Sequence, residues 1–129
     1  MAEGAKVLIV EDDPSITRML RFSMGLSGFE VTEVATGGKA LGILASQPVD
    51  AVVLDLGLPD NLGGTVLQNL HKPGKVVKGA PVYVVISALD KEEAVRRYGA
   101  LGDNFLAKPF NPWDLVSLLQ KLLSSRDGR

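Results

Sequence analysis

Short apolar segments rich in branched residues recur along the chain, and segments with helical periodicity separate them. The first three are almost continuously hydrophobic, which is typical of strands buried on both faces. Another segment, Glu30–Val34, alternates between polar and apolar residues and is predicted to be an edge strand. The four apolar segments are Val7–Val10, Ala51–Leu54, Val82–Ile86 and Phe105–Ala107.

Helical patterns occupy the segments that follow each predicted strand. Asp13 suits the N-cap of the first helix and Pro14 its first residue. Asp90 precedes a glutamate by three residues, a spacing that predicts a capped helix ending at Tyr98. The other predicted helices are Lys39–Ser46, Gly64–His71 and a last one opened by Asn111-Pro112, with Leu115, Leu119 and Leu122 on one face.

The order of these elements, a strand and then a helix five times, determines the predicted fold. Strands separated by helices pair in parallel through right-handed crossovers, which places helices on both faces of one sheet. We therefore expect a single α/β domain over residues 1–129, doubly wound around a five-stranded parallel sheet. Its core should span about residues 6–123, and Ser124–Arg129 should form a frayed tail.

Composition excludes several classes of function. With 46% hydrophobic residues and a net charge of −1, the chain can build one core but offers no basic field for nucleic acid. It has no cysteine, so disulfides and thiolate chemistry are absent. No signal peptide or membrane-spanning segment is evident, and we expect a cytoplasmic protein without membrane contacts.

Polar side chains follow four of the predicted strands, at the sheet edge where open α/β folds bind ligands. Carboxylates about 4 Å apart repel by roughly 4 kcal/mol at an effective dielectric near 20, so their convergence requires a counter-charge. A hard divalent cation with oxygen ligands, such as Mg²⁺, would supply it. The residues concerned are Glu11, Asp12 and Asp13 after strand one, Asp55 after strand three, Ser87 after strand four and Lys108 after strand five.

A metal ion, an ammonium group and a hydroxyl around one aspartate are the groups that stabilise a transferring phosphoryl group. Asp55 would be the nucleophile and form an acyl phosphate. Mg²⁺ would bridge Asp12, Asp55 and a phosphoryl oxygen, and Glu11 would hold the metal through water. Ser87 and Lys108 would contact the remaining phosphoryl oxygens.

Other polar residues near these strands have structural interpretations. An isolated aspartate after a strand is more often a turn residue or a helix cap, which is our interpretation of Asp13 and Asp60. His71 is the only histidine, and nothing around it resembles a phosphotransfer motif. We interpret it as a solvated residue at a helix end.

Five motifs at these strand ends carry a family resemblance over residues 6–123. Together they are very specific, and they resemble the receiver domain of two-component response regulators. The motifs are Val7-Leu-Ile-Val-Glu-Asp-Asp13, Val53-Leu-Asp-Leu-Gly-Leu-Pro-Asp60, Gly63, Val85-Ile-Ser-Ala88 and Phe105-Leu-Ala-Lys-Pro-Phe110.

The resemblance implies a flavodoxin-like (βα)5 fold with strand order 2-1-3-4-5. It implies that Asp55 is the phosphoacceptor and that Lys108 contacts the phosphoryl group, with a cis bond between Lys108 and Pro109. It also implies that Mg²⁺, or Mn²⁺, is held by Glu11, Asp12, Asp55 and the backbone carbonyl of Gly57.

The resemblance further implies a switch. Phosphorylation would draw Ser87 inward, the ring of Phe105 would rotate into the space left, and the surface of helix four, strand five and helix five would change its partner preference. The alternative is that Phe105 is an ordinary core residue. The phosphoryl donor would be a histidine kinase or a histidine phosphotransfer protein, and the domain would catalyse only its own phosphorylation and dephosphorylation. A downstream protein partner or output domain would read the change, without nucleic-acid binding by this domain.

Three segments depart from the family pattern. Leu70–Ala80 is about two residues longer than is common and is predicted to be a surface loop. The usual glycine-alanine pair is blurred within Gly99–Gly102, which affects the placement of helix four. Leu118 stands where related dimers carry arginine, and the apolar band around it predicts a different partner surface, unless a neighbouring helix covers it.

Three other functions use similar parts. A phosphatase of the haloacid dehalogenase type needs a second carboxylate two residues after the nucleophile, where this chain has Gly57. A flavin- or nucleotide-binding module needs a phosphate-binding loop after strand one, where the acidic sequence would repel phosphate. A pseudo-receiver, which binds partners without phosphorylation, usually lacks Asp55, Lys108 or one of the acids Glu11 and Asp12.

Overall fold

The computed structural model describes residues 4–71, 77–99 and 104–126. Its centre is a sheet of five parallel strands in the order β2-β1-β3-β4-β5, so the predicted strand order and the edge position of β2 are confirmed. The strands are β1 (Lys6–Val10), β2 (Glu30–Val34), β3 (Ala51–Asp55), β4 (Val82–Ser87) and β5 (Phe105–Ala107). The helices are α1 (Pro14–Leu26), α2 (Gly37–Ser46), α3 (Gly63–His71), α4 (Lys91–Tyr98) and α5 (Pro112–Arg126).

The central strands separate two hydrophobic clusters, one on each face of the sheet. Within β1, Leu8 and Val10 point into a cluster shared with α2, α3 and α4, whereas Val7 and Ile9 point into a cluster shared with α1 and α5. Both faces of β1 and β3 are therefore buried, which explains the continuous hydrophobic runs in the sequence. The fold is the predicted doubly wound α/β architecture.

Side-chain caps set the beginnings of α1 and α4. The Asp13 carboxylate accepts a hydrogen bond from the Ser15 N–H (2.9 Å) and caps α1. The Asp90 carboxylate accepts one from the Glu93 N–H (2.8 Å) and caps α4. Each satisfies a backbone donor that the first turn leaves unpaired. Both predicted caps are confirmed.

Helix α2 begins at Gly37, two residues before the predicted start at Lys39. Its first backbone N–H groups find acceptors outside the helix, because the Asp60 carboxylate accepts from Gly37 (3.1 Å) and Gly38 (2.9 Å). Thr36 completes the cap by accepting from the Lys39 N–H (3.2 Å). Asp60 is thus a helix cap, as interpreted, but for residues that lie 22 and 23 positions before it in the chain.

The C-terminal helix is longer than predicted. Ser124–Arg126, expected to belong to a frayed tail, continue α5, and residues 127–129 lie outside the described residues. The guanidinium of Arg126 donates to the Asp50 carbonyl oxygen (3.2 Å) and lies 3.3 Å from the Asp50 carboxylate. This contact, between groups far apart in sequence, accounts for the extra helical turn.

The long segment before β4 is only partly the surface loop that we predicted. Residues 72–76 lie outside the described part, but Val77 is 2% exposed and packs into the cluster with α2 and α3. The Lys78 N–H also donates to the Leu44 carbonyl oxygen (2.9 Å). The predicted irregularity at Gly99–Gly102 is described only at Gly99, where α4 ends with a positive φ of 92°.

No helix in the described ranges is both long enough and apolar enough to span a membrane.

Candidate functional site

A cavity of about 490 Å³ opens at the carboxyl ends of β1, β3, β4 and β5. The strands end here because the parallel sheet aligns them, and the polar residues that follow each strand converge on the cavity. Its lining includes every polar group predicted for the site, namely Glu11, Asp12, Asp55, Gly57, Ser87 and Lys108.

Three carboxylates form the acidic part of the site. One oxygen each from Glu11, Asp12 and Asp55 can be chosen so that all lie within 4.8 Å of one another. Glu11 and Asp55 are only 2% and 5% exposed, whereas Asp12 faces solvent. Buried carboxylates this close need a cation to offset their repulsion.

Lys108 supplies part of that charge. Its Nζ lies 2.7 Å from Glu11 Oε1 and 3.3 Å from Asp55 Oδ2, and its side chain is 19% exposed. Burial would by itself lower the pKa of Lys108, but its contacts with Glu11 and Asp55 raise it above the usual value. The ammonium group is therefore charged throughout the neutral range.

Glu11 keeps coordination capacity despite this ion pair. Its Oε2 accepts from the Asp13 N–H (3.1 Å), while its buried Oε1 lies 2.7 Å from the Lys108 ammonium and meets no other donor in the described part of the chain. Burial, reinforced by the charge of Asp55, raises the pKa of Glu11 above its usual value, although Lys108 opposes that shift. A buried oxygen with an open lone pair, beside two other carboxylates, fits a hard divalent cation such as Mg²⁺.

Asp55 is held in place by its own strand and by the turn after it. As the last residue of β3 it pairs in register with Ile86 of β4. Its Oδ1 accepts a hydrogen bond from the Gly57 N–H (3.1 Å), and its Oδ2 faces Lys108. The carboxylate is therefore oriented by two contacts while its end of the strand opens into the cavity.

Ser87 presents a hydroxyl from the end of β4. Its Oγ accepts a hydrogen bond from the Leu89 N–H (3.0 Å), and its side chain is almost fully buried. No acceptor for the hydroxyl proton is found in the described part of the chain, so the proton can be donated to a ligand oxygen in the cavity. The Ser87 carbonyl oxygen accepts from the Lys108 N–H (2.7 Å), which joins the two strand ends.

The other predicted residues lie around this centre. The Lys108–Pro109 peptide bond is cis. Phe105 is half-buried on β5, opposite Val85 of β4, and packs against the cluster on the α2, α3 and α4 face. Leu118 does not line the cavity, because it is half-buried on α5 and packs against the opposite cluster.

His71 has a partner that the sequence did not indicate. It is exposed at the end of α3, as predicted, but its Nδ1 lies 2.8 Å from the Tyr83 hydroxyl oxygen. The two rings meet edge to face with centroids 5.4 Å apart. Burial raises the pKa of Tyr83 above its usual value. His71 thus anchors the end of α3 to β4, away from the acidic cavity.

Sequence reasoning missed Arg97 and Tyr98, which α4 contributes to the cavity wall. The only signal for them was the blurred glycine-alanine pair within Gly99–Gly102, which left the position of α4 open. Their position at the cavity depends on how α4 packs, and no local sequence motif encodes that packing.

The sequence matches the family model described as the response regulator receiver domain over residues 7–120. The chain belongs to this family. Receiver domains of two-component systems are phosphorylated on an aspartate, typically with Mg²⁺ at a cluster of acidic residues, and they act with histidine kinases and output domains. Asp55 and the acidic cluster beside it fit that pattern.

Curated relatives of this receiver domain include transcriptional regulatory proteins. The chain is 37% identical over 114 residues to the transcriptional regulatory protein KdpE of Mycobacterium tuberculosis, covering 88% of this chain and 49% of that protein. It is 33% identical over 117 residues to the KDP operon transcriptional regulatory protein KdpE of Escherichia coli, covering 91% of this chain and 50% of that protein. The chain thus spans about half the length of the curated relatives that it matches.

Solved structures with the same fold include other response regulators. A putative response regulator from Chloroflexus aurantiacus superimposes with a TM-score of 0.80 at 28% identity, covering 95% of this chain and 99% of that one. The chemotaxis response regulator CheY4 of Vibrio cholerae gives a TM-score of 0.74 at 29% identity, covering 92% and 98%.

Proposed function

We propose that Asp55 accepts a phosphoryl group and that this receiver domain thereby relays a two-component signal. The observation that carries the proposal is the position of its carboxylate. It is 5% exposed, fixed by the Gly57 N–H and Lys108, and faces a cavity that also holds Glu11 and Asp12. A structural aspartate would have its charge satisfied without such an open, acid-lined cavity.

The chemistry is a phosphoryl transfer from a phosphohistidine. A carboxylate oxygen of Asp55 forms a bond to phosphorus while the phosphorus–nitrogen bond breaks, and the departing nitrogen keeps the electron pair. The product is an acyl phosphate on Asp55 and a free imidazole on the donor. We propose a histidine kinase or a histidine phosphotransfer protein as that donor.

Lys108 and Ser87 would stabilise the transferred group. Lys108 reaches between Glu11 and Asp55, so its ammonium lies beside any oxygen added to Asp55. The Ser87 hydroxyl, held by the Leu89 N–H, can donate its proton to a second oxygen. Groups fixed in advance in this way stabilise developing charge without reorganising.

The acidic residues would hold Mg²⁺, with Mn²⁺ as a substitute. The carboxylates of Glu11, Asp12 and Asp55, with the backbone carbonyl of Gly57, are the proposed ligands. When bound, the metal ion would offset the charge of the phosphoryl oxygens. The oxygen-only donor set and the open lone pair on Glu11 Oε1 support this assignment.

The output would be a change at the surface of α4, β5 and α5. Movement of Ser87 towards the phosphoryl group would free space that the ring of Phe105 could enter, which shifts the population between two surface states. A downstream protein partner or an output domain would read the change, without nucleic-acid binding by this domain. The expected cytoplasmic location stays a prediction.

We also propose that Leu118 belongs to a partner surface on α5. Its packing against the α1 and α5 cluster explains part of the apolar band, as the alternative interpretation requires. Substituting Leu118→Arg should weaken self-association or partner binding and leave phosphorylation of Asp55 intact. If the variant associates like the wild type, packing alone explains Leu118.

The domain would act only on its own phosphoryl group. A haloacid dehalogenase phosphatase lacks support, because Gly57 supplies no carboxylate as general acid. A pseudo-receiver would not need the arrangement of Asp55, Lys108 and Ser87 around one cavity. Hydrolysis of a generic phosphate ester by the purified domain would favour the phosphatase.

Incubation with acetyl phosphate and Mg²⁺ tests the proposal by intact-mass measurement, with a phosphoramidate donor in parallel. The wild type should gain one phosphoryl group, and both EDTA and the substitution Asp55→Asn should abolish the gain. A wild type that stays unmodified with both donors would contradict phosphorylation and favour the pseudo-receiver.

A further inference from the structure

Arg97 brings a second basic side chain to the phosphorylation cavity. It lies in the last turn of α4 and lines the same 490 Å³ space as Asp55 and Lys108. Among the described residues that line this space, four are acidic and only Arg97 and Lys108 are basic. Lys108 already lies between the carboxylates of Glu11 and Asp55, whereas Arg97 does not.

The position of Arg97 follows from the packing of α4 against the start of α3. The ring of Tyr98, the next residue, lies so close to Gly64 that a Cβ added there would be 3.2 Å from Tyr98 Cε1. Because α3 follows the turn after Asp55, this contact draws the end of α4 towards the site. Arg97 is thereby carried to the cavity wall.

The present partner of Arg97 is replaceable. Its Nε lies 2.9 Å from Glu93 Oε2, but its side chain is 59% exposed, and exposed ion pairs within a helix are weak. Glu93 also pairs with Arg96, so its carboxylate would keep a cation if Arg97 left. The guanidinium can therefore turn towards the cavity at little cost to α4.

Phosphorylation of Asp55 creates a better partner for Arg97. An acyl phosphate on Asp55 replaces a single negative charge with about two and adds acceptor oxygens. A guanidinium presents parallel N–H donors that match phosphoryl oxygens, which an ammonium cannot do. Lys108 is positioned for one oxygen and Ser87 for another, which leaves acceptor capacity on the solvent side.

We propose that Arg97 is a phosphoryl ligand that exchanges Glu93 for the phosphoryl group on Asp55. The inference rests on the proposed phosphorylation of Asp55. It gives α4 a direct electrostatic contact with the modified residue, in addition to the path through Ser87 and Phe105. The contact would hold the end of α4 nearer to the cavity in the phosphorylated state.

Beryllium fluoride with Mg²⁺, a non-transferable phosphoryl analogue, provides the test. Its dissociation constant is measured by titration for the wild type, Arg97→Gln and the matched control Arg96→Gln. The control removes a neighbouring arginine that also pairs with Glu93 but does not line the cavity. Arg97→Gln should weaken binding about tenfold, whereas Arg96→Gln should stay within about twofold of the wild type.

Two further variants separate a phosphoryl contact from a structural effect on α4. Glu93→Gln, which frees Arg97, should bind beryllium fluoride at least as tightly as the wild type. Arg97→Lys, which keeps the charge but loses the paired donors, should fall between the wild type and Arg97→Gln. Equal weakening in Arg96→Gln and Arg97→Gln, or looser binding by Glu93→Gln, would overturn the inference.

The same titration separates this inference from the function on which it rests. A wild type that neither binds beryllium fluoride nor reacts with acetyl phosphate would overturn the phosphorylation of Asp55 itself. A wild type that does both, with an Arg97→Gln variant indistinguishable from it, would overturn only the role of Arg97.

Discussion

Lys108 Nζ lies 2.7 Å from Glu11 Oε1, closer than its 3.3 Å distance from Asp55 Oδ2. The lysine thus offsets the charge of Glu11 as well as that of the phosphoacceptor. Both carboxylates are almost fully buried, so the ammonium is part of the structural charge balance of the site.

Lys108→Met should therefore destabilise the fold. In EDTA at pH 8, we expect the free energy of unfolding to fall by about 3 kcal/mol, because two buried carboxylates lose their counter-charge. The pKa of Glu11 is already raised by burial, and the substitution raises it further. A carboxyl group with a raised pKa destabilises the folded state as the pH rises through that pKa. The loss of unfolding free energy in Lys108→Met should therefore be smaller at pH 5 than at pH 8.

Urea unfolding at the two pH values measures this loss, with Lys121→Met as control. Lys121 is exposed on α5, and its substitution should change stability little at either pH. A loss for Lys108→Met that is the same at pH 5 and pH 8 would contradict the electrostatic explanation.

Gly63→Ala should also be destabilising, for a steric reason. A Cβ at Gly63 would lie 2.5 Å from the Leu56 carbonyl oxygen and 3.0 Å from its Cα, so backbone atoms would have to move. We expect a loss of about 2 kcal/mol in thermal or chemical unfolding, the usual scale of an overpacked core. Slower phosphorylation should accompany it, since the displaced turn follows Asp55.

The control for this substitution is Gly42→Ala. Gly42 is exposed within α2, and nothing lies within 4 Å of a Cβ built there. Alanine should stabilise the protein by about 0.5–1 kcal/mol, because it restricts the unfolded chain and favours helix. A Gly63→Ala variant as stable as Gly42→Ala would contradict the close contact.

Val77→Ala tests whether the segment before β4 is anchored in the core. Val77 is 2% exposed, and truncation would remove two buried methyl groups and leave a cavity. The free energy of unfolding should fall by about 2 kcal/mol. Val95→Ala, at a valine of α4 that is 36% exposed, should change it by less than about 0.5 kcal/mol. Similar losses in the two variants would place Val77 outside the core.

Asp60→Asn should weaken the start of α2 in a pH-dependent way. Hydrogen bonds from the Gly38 and Gly37 N–H groups hold the pKa of Asp60 below its usual value. A lowered carboxyl pKa stabilises the fold above the unfolded-state value, about 3.9, and that contribution is lost as pH falls through the folded-state value. The difference in stability between the wild type and Asp60→Asn should therefore be at its full size at pH 6 and smaller at pH 3.

Unfolding midpoints at pH 6 and pH 3 measure the difference, and faster amide exchange at Gly37 and Gly38 should locate it. Glu30→Gln, at an exposed position of β2, is the charge-matched control. An unchanged amide exchange rate in α2 would show that Asp60 does not hold this helix start.

The sequence by itself determined the features of this protein that arise from short-range contacts or from the periodicity of hydrophobic residues. Continuous hydrophobic runs predicted the buried strands, because both faces of β1 and β3 are covered. Asp13 and Asp90 were recognisable as caps because a cap bonds to a backbone group two or three residues away. Asp55 and Lys108 were recognisable because residues after parallel strands must meet at one edge.

The tertiary structure decided the contacts between segments whose separation along the chain carries no fixed geometry. Asp60 caps α2 from a distant turn, Val77 fills a core position from a loop, and Arg126 extends α5 by contacting Asp50. Arg97 reaches the cavity because Tyr98 packs on Gly64. Each of these contacts depends on how two elements pack against each other. The packing of the whole core determines that arrangement, and no short motif encodes it.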